Sequence, residues 1–254
     1  MTGLLDGRVA IVTGAGQGVG EGIARALAAA GAAVVVAARR AENGEPAAEA
    51  IRARGHEASF VRCDVTSESD VGTAVDHAIG EHGGLDIVVH NAVSPPGPPG
   101  PVQDIDPAII DAQIATSTTA AFLLARAAHP HLAARGGSFL LLTSPAGMEG
   151  SGNLPVYATV KAAQRGLLKS LAREWGPDRI RVNAIAPVAW TPALVTATEA
   201  NPTLQARLEA RTPLGRIGDP ETDIGPVAVF LASAMARHMT GQTLAVDGGR
   251  YLGL

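Results

Sequence analysis

The sequence predicts an α/β fold, doubly wound, with a parallel sheet of about seven strands and helices on both faces. Three observations carry this. Short apolar runs alternate with helix-like segments along the whole chain. The apolar runs are continuous rather than alternating in polarity, as in strands buried on both faces. The first run also ends in a cluster of glycines that opens a helix, the corner at which such folds hold phosphate groups.

The elements follow in order. Residues 8–13 read as the first strand, residues 21–30 as a helix, residues 33–38 as the second strand, residues 46–54 as the next helical segment and residues 59–63 as the third strand. Residues 67–82 read as a helix with Ser67 as its N-cap, and residues 86–90 as a strand. Residues 107–134 predict one long helix, residues 138–143 a strand, residues 156–175 a helix and residues 180–186 a strand. Residues 193–210 and 221–232 read as helices, and residues 243–246 close the sheet. The proline-rich piece from Ser94 to Pro101 reads as a stiff surface loop inside one domain of residues 1–254.

Composition narrows the function. At 254 residues, 46% hydrophobic and 17% charged, the chain can bury a full core as one globular domain. A formal net charge of −4 argues against nucleic acid as a partner. Cys63 is the lone cysteine, so neither an internal disulfide nor a cysteine zinc site is expected, and the seven histidines are assigned to surface positions with no metal. Residues 1–7 are too short and polar for a signal segment, and no apolar run is expected to cross a membrane. The expected localisation is cytoplasmic.

The glycines Gly14, Gly18 and Gly20 sit between the first strand and its helix. Glycine allows the tight turn and the close approach of backbone to a pyrophosphate, and the helix start supplies free N–H groups. About 20 residues on, where an acidic residue would bind the ribose 2′-hydroxyl of NAD, the chain has Ala38-Arg39-Arg40. A guanidinium suits a 2′-phosphate, so NADP(H) is favoured over NAD(H). Further on, Tyr157 and Lys161 are four apart and share one face of a helix. A tyrosine can exchange a proton with a carbonyl oxygen, and an ammonium beside it is expected to lower its pKa from near 10. Ser144, at a strand end, can donate to the same oxygen.

This glycine turn followed by Ser144, Tyr157 and Lys161 resembles the classical short-chain dehydrogenase/reductase family across nearly the whole chain. The resemblance implies a Rossmann fold. It implies Tyr157 as general acid/base, Lys161 lowering its pKa and binding ribose hydroxyls, Ser144 positioning the carbonyl, and Ser117 in the place of a proton-relay asparagine. It places Gly14, Gln17, Gly18, Val19, Gly20, Arg39, Asp64, Val65, Asn91, Ala92, Lys161, Pro187, Val188 and Thr191 along the cofactor, with Asp64 at the adenine. His90, Val93, Ser117 and Val188 depart from the family pattern, so the nicotinamide pocket is expected to be reshaped. Residues 188–216 form the expected lid, where Trp190, Leu194, Val195 and Leu204 point to an apolar carbonyl or alcohol substrate. The long helices are expected to pair subunits into a homodimer or homotetramer. Two other readings stand beside the ketone or alcohol oxidoreductase: a 3-oxoacyl-carrier-protein reductase, and a nucleotide-binding sensor or scaffold with little catalysis.

Overall fold

The computed structural model describes residues 3–252; the expected 1–254 domain extends past these at both ends, outside the described residues. Seven strands form one parallel sheet in the order β3-β2-β1-β4-β5-β6-β7. They are β1 (Val9–Thr13), β2 (Ala33–Ala38), β3 (Ala58–Arg62), β4 (Ile87–His90), β5 (Ser138–Leu142), β6 (Arg181–Pro187) and β7 (Thr243–Val246). Alternate side chains of each strand feed the two layers of core. In β5, Phe139 and Leu141 face the layer that also holds Leu124, Leu168 and Trp175. Leu140 and Leu142 face the layer that holds Ile23, Leu27 and Leu231.

The first layer is covered by α3 (Glu68–His82), α5 (Ala120–Arg135) and α7 (Pro155–Glu174), and the second by α1 (Gly18–Ala29), α2 (Ala41–Arg52) and α10 (Gly225–Ala232). Short helices α4 (Pro107–Gln113), α6 (Ala146–Glu149), α8 (Pro192–Ala200) and α9 (Pro202–Ala210) flank the carboxyl ends of the strands. Ser67 caps α3 as expected, its hydroxyl accepting from the Asp70 N–H.

Four expectations need correction. Helix α2 begins at Ala41, five residues before Pro46, and carries that proline inside it. Its packing is set instead by Gly44, where a Cβ would come within 2.1 Å of the Phe60 ring. The long helix runs through a π turn at Ile114–Thr119 between α4 and α5. The helix expected over residues 193–210 is two, because Asn201, with an extended backbone, ends α8 and caps α9 ahead of Pro202. Finally, the 29-residue stretch Pro107–Arg135 is long and apolar enough to cross a membrane. It lies against the sheet instead, burying Ala121, Leu124, Ala128 and Leu132.

Candidate active site

The strand order reverses direction between β1 and β4, which run side by side although five elements of chain separate them. A crevice opens at such a switch point, outside the carboxyl ends of the strands. The glycine turn forms one wall. Gly14 and Gly18 have φ of +65° and +60°, a region open to glycine at little cost. A Cβ on Gly20 would come within 2.4 Å of Asn91 Nδ2 and 2.6 Å of the Gly14 carbonyl. Gln17 caps α1 with an extended backbone and makes no side-chain cap bond. The first-turn N–H groups, including that of Val19, are therefore free of side-chain capping and available to an anion. The turn fits a pyrophosphate.

Asn91 serves this crevice from behind. Its amide donates to the Thr13 carbonyl (3.0 Å) and the Gly14 carbonyl (3.2 Å), while the Asn91 and Ala92 N–H groups donate to Thr13 Oγ1. The side chain is thus spent on joining the ends of β1 and β4. The Arg39 and Arg40 side chains are exposed at the end of β2. Asp64 lies near enough to feel Arg39: its carboxyl is held below the usual range, first by hydrogen bonds from Thr66 and further by the Arg39 charge. Asp64 accepts from Thr66, at 3.0 Å from its N–H and 2.7 Å from its hydroxyl. Val65 is buried beneath them.

The other wall holds the titratable groups. Ser144 follows β5, its Oγ accepting from the Ala146 N–H at 3.2 Å. Helix α6 then packs tightly on α7: a Cβ on Gly147 would come within 2.6 Å of the Lys161 backbone. This close approach brings the serine turn against Tyr157. Tyr157 and Lys161 share one face of α7, with the ammonium 5.7 Å from the centre of the tyrosine ring. Lys161 is 3% exposed, and its Nζ donates to the Leu142 carbonyl and to Gln164 Oε1.

The expected lowering of the Tyr157 pKa is not found. Burial pushes the phenol above its usual value, and the group that pulls it back is the Ser144 hydroxyl. Lys161 pays the same desolvation cost as a cation and falls to about 7.

Ser117 lies buried within the π turn. Its hydroxyl is buried with no hydrogen-bond partner, whereas its carbonyl, within the π turn, accepts from Gln164 Nε2 at 2.9 Å and faces His90 Nε2 at 3.2 Å. Sequence reasoning missed Gln164. Its position three residues past Lys161, on the same helix face, was the available signal. It also placed His90 at the surface, but His90 is fully buried at the end of β4 and its imidazole is pushed down to about 4. His129 is likewise part-buried, bonded to Asp178 and packed on Trp175 with ring centres 5.0 Å apart.

Pro187 ends β6, and Val188 donates its N–H to the Val246 carbonyl while its own carbonyl accepts from the Gly218 N–H. Thr191 caps α8 by accepting from the Leu194 N–H. The start of α8 closes over the glycine turn, with Pro192 Cδ 3.4 Å from where a Gly18 Cβ would stand. No residue of α8 or α9 is buried. Among the described residues, no group of three or more His, Cys, Asp and Glu is gathered as a metal site. A cavity of about 510 Å³ opens at the amino ends of the central strands around Arg8, Asp86 and Arg181. Arg8 is bonded to Asp86 there and Arg181 to carbonyls at the end of α10.

The site's relatives agree with its geometry. Residues 14–250 match the family described as Enoyl-(Acyl carrier protein) reductase. The chain is 39% identical to cis-4-hydroxycyclohexanecarboxylate dehydrogenase of Sinomonas cyclohexanicum, over 95% of this chain and 96% of that protein. It is 37% identical to 7alpha-hydroxysteroid dehydrogenase of Escherichia coli K12, over 96% and 94% of the two chains. Among solved structures, gluconate 5-dehydrogenase of Burkholderia cenocepacia, in complex with NADP and tartrate, superposes with a TM-score of 0.89 at 33% identity, covering 98% of this chain and 97% of that one. The chain belongs to the classical short-chain dehydrogenase/reductase family of nicotinamide-dependent oxidoreductases acting on the alcohol–ketone couple.

Proposed function

We propose that this protein is an NADP(H)-preferring dehydrogenase/reductase of apolar cyclic secondary alcohols and their ketones. The observation that carries this is the placement of Ser144, Tyr157 and Lys161 on one wall of a crevice whose other wall is the glycine turn. Bound nicotinamide supplies or takes the hydride. The chain's own residues handle the oxygen and its proton. Tyr157 gives a proton to the carbonyl oxygen in reduction and takes it from the alcohol in oxidation. Ser144, whose Oγ accepts from the Ala146 N–H and whose hydroxyl bonds the Tyr157 phenol, turns that hydroxyl to the same oxygen when the substrate enters. Lys161 holds positive charge beside the phenol and steadies the tyrosinate as it forms.

The cofactor would be held by the turn from Gly14 through Gln17, Gly18, Val19 and Gly20, by Arg39 on the 2′-phosphate, by Asp64 and Val65 beside the adenine, by the Ala92 backbone with Asn91 fixing its position, and by Pro187, Val188 and Thr191 near the nicotinamide. The absence of an acid at Ala38, with Arg39 exposed next to it, supports the NADP(H) preference. The relative solved with NADP is in keeping with it.

The substrate class rests on the lid and on the relatives. Val195 and Leu214 are 41% and 71% exposed, and with Trp190, Leu194 and Leu204 they offer an apolar surface above the site. Two relatives are named for a cyclohexane and a steroid alcohol. The protein would work in the cytoplasm as a homodimer or homotetramer. The exposed Ile110, Ile114 and Phe122 on the helix running from Pro107 to Arg135 offer an apolar subunit contact. The test is oxidation of cyclohexanols and hydroxysteroids with NADP+ and NAD+. Turnover with NADP+ that is lost in Tyr157→Phe supports the reading. Tight NADPH binding without turnover on any of them would favour a nucleotide-binding sensor.

A further inference from the structure

The face of α7 that carries Tyr157 and Lys161 also carries Gln164, which is 1% exposed. Gln164 makes two hydrogen bonds of opposite sense. Its Oε1 accepts from Lys161 Nζ at 3.2 Å, and its Nε2 donates to the Ser117 carbonyl at 2.9 Å. That carbonyl meets a second donor. His90 Nε2 stands 3.2 Å from it, and a carbonyl can only accept, so the imidazole carries its hydrogen on Nε2. Nδ1 then faces the Thr13 hydroxyl at 3.4 Å as an acceptor. The low pKa of His90, caused by burial and by the Lys161 charge, keeps the ring neutral and this tautomer in place.

The result is a continuous buried chain across three elements: His90 at the end of β4, the Ser117 carbonyl in the π turn, and Gln164 and Lys161 on α7. A backbone carbonyl has two lone pairs, and protein donors use both here. A Gln amide cannot be reversed in this setting, because its oxygen must face the ammonium and its NH2 the carbonyl.

We propose that Gln164 is the positioning residue of the active site, tethering the Lys161 ammonium to the Ser117 carbonyl, with the neutral His90 imidazole bracing that carbonyl from its other side. The tether rests on the reading of Tyr157 and Lys161 as the proton-handling pair. Together with the Leu142 carbonyl, which also accepts from Nζ, it fixes the position of the charge beside Tyr157. The titratable groups around the ammonium are Tyr157 on α7 and His90 from β4; no carboxylate shifts Lys161.

The experiment is the pH dependence of kcat for alcohol oxidation in the wild type, Gln164→Leu, Gln164→Glu and Tyr157→Phe, with melting temperatures recorded for each. Gln164→Leu removes the tether and is expected to lower kcat by about tenfold or more, the cost of one hydrogen bond to a charged group, with the KM for cofactor changed far less. Gln164→Glu keeps an acceptor for Lys161 but, as a carboxylate, cannot donate to the Ser117 carbonyl, and is expected to recover only part of the plateau rate. Its added negative charge favours the protonated pair, so the acid limb of the profile moves to higher pH by about one unit or more. A kcat for Gln164→Leu within about twofold of the wild type, with Tyr157→Phe inactive, overturns the tether and leaves the Tyr157 reading standing. If Gln164→Leu does not fold, an unmoved acid limb in Gln164→Glu overturns it. Activity retained in Tyr157→Phe sinks the underlying reading instead.

Discussion

The Lys161 ammonium lies 5.7 Å from the centre of the Tyr157 ring, yet its hydrogen bonds go to Leu142 and Gln164. Burial acts on both groups in the same sense: the phenol is pushed up and the amine down to about 7. Tyr157→Phe removes the proton carrier while leaving the ring in place. Its turnover is expected to fall by about 10²–10⁴-fold, the usual share of a general acid/base, with NADPH affinity nearly unchanged. Steady-state rates and a fluorescence titration on the same preparation check both halves.

The glycine turn is expected to be intolerant at Gly20. A methyl there meets Asn91 Nδ2 at 2.4 Å and the Gly14 carbonyl at 2.6 Å, and Asn91 is itself tied to Thr13 and Gly14. Gly20→Ala should cost about 1–3 kcal/mol of stability, as overpacking does, and should also abolish cofactor binding. Denaturant unfolding without ligand, beside NADPH titration, separates the two effects. A variant of wild-type stability and affinity would show that the corner is softer than its contacts.

Arg39 should govern the choice of cofactor. Arg39→Ala is expected to weaken NADPH binding by about 10–100-fold, as for a lost hydrogen bond between charged groups, and to leave NADH binding almost unchanged. Calorimetric titration with both nucleotides gives the ratio. Equal loss for the two would place Arg39 outside the 2′-phosphate contact.

His90 should make the fold sensitive to acid. Its folded pKa of about 4 lies below the ordinary 6.5, so the unfolded chain binds the extra proton between those values and stability falls as pH drops through that window. Above pH 6.5 the contribution is fully present; by pH 4 the loss is of order 3 kcal/mol. His90→Asn, which cannot titrate, should lose stability less steeply between pH 6.5 and 4 in thermal melts. Parallel slopes for the two proteins would show that other groups set the acid response.

The sheet and several local pairings were legible in the sequence. Continuous apolar runs such as Ala33–Ala38 and Thr243–Val246 became strands with those same bounds, because a strand covered on both faces must be apolar throughout. Gly14, Gly18 and Gly20 were legible as a turn because their backbone demands are local. Tyr157 and Lys161 were legible as a pair because helical spacing alone puts them together. Only the tertiary structure decided how those groups are charged and held. Desolvation depends on everything that surrounds a side chain, so the raised phenol and the lowered amine could not be read from two letters four apart. The partners of Lys161 come from distant segments: Leu142 ends β5, and Gln164 reaches the Ser117 carbonyl within the π turn. That carbonyl also faces His90 from β4. A backbone carbonyl has no letter of its own in a sequence, and it takes part here only because folding turns it toward two buried donors.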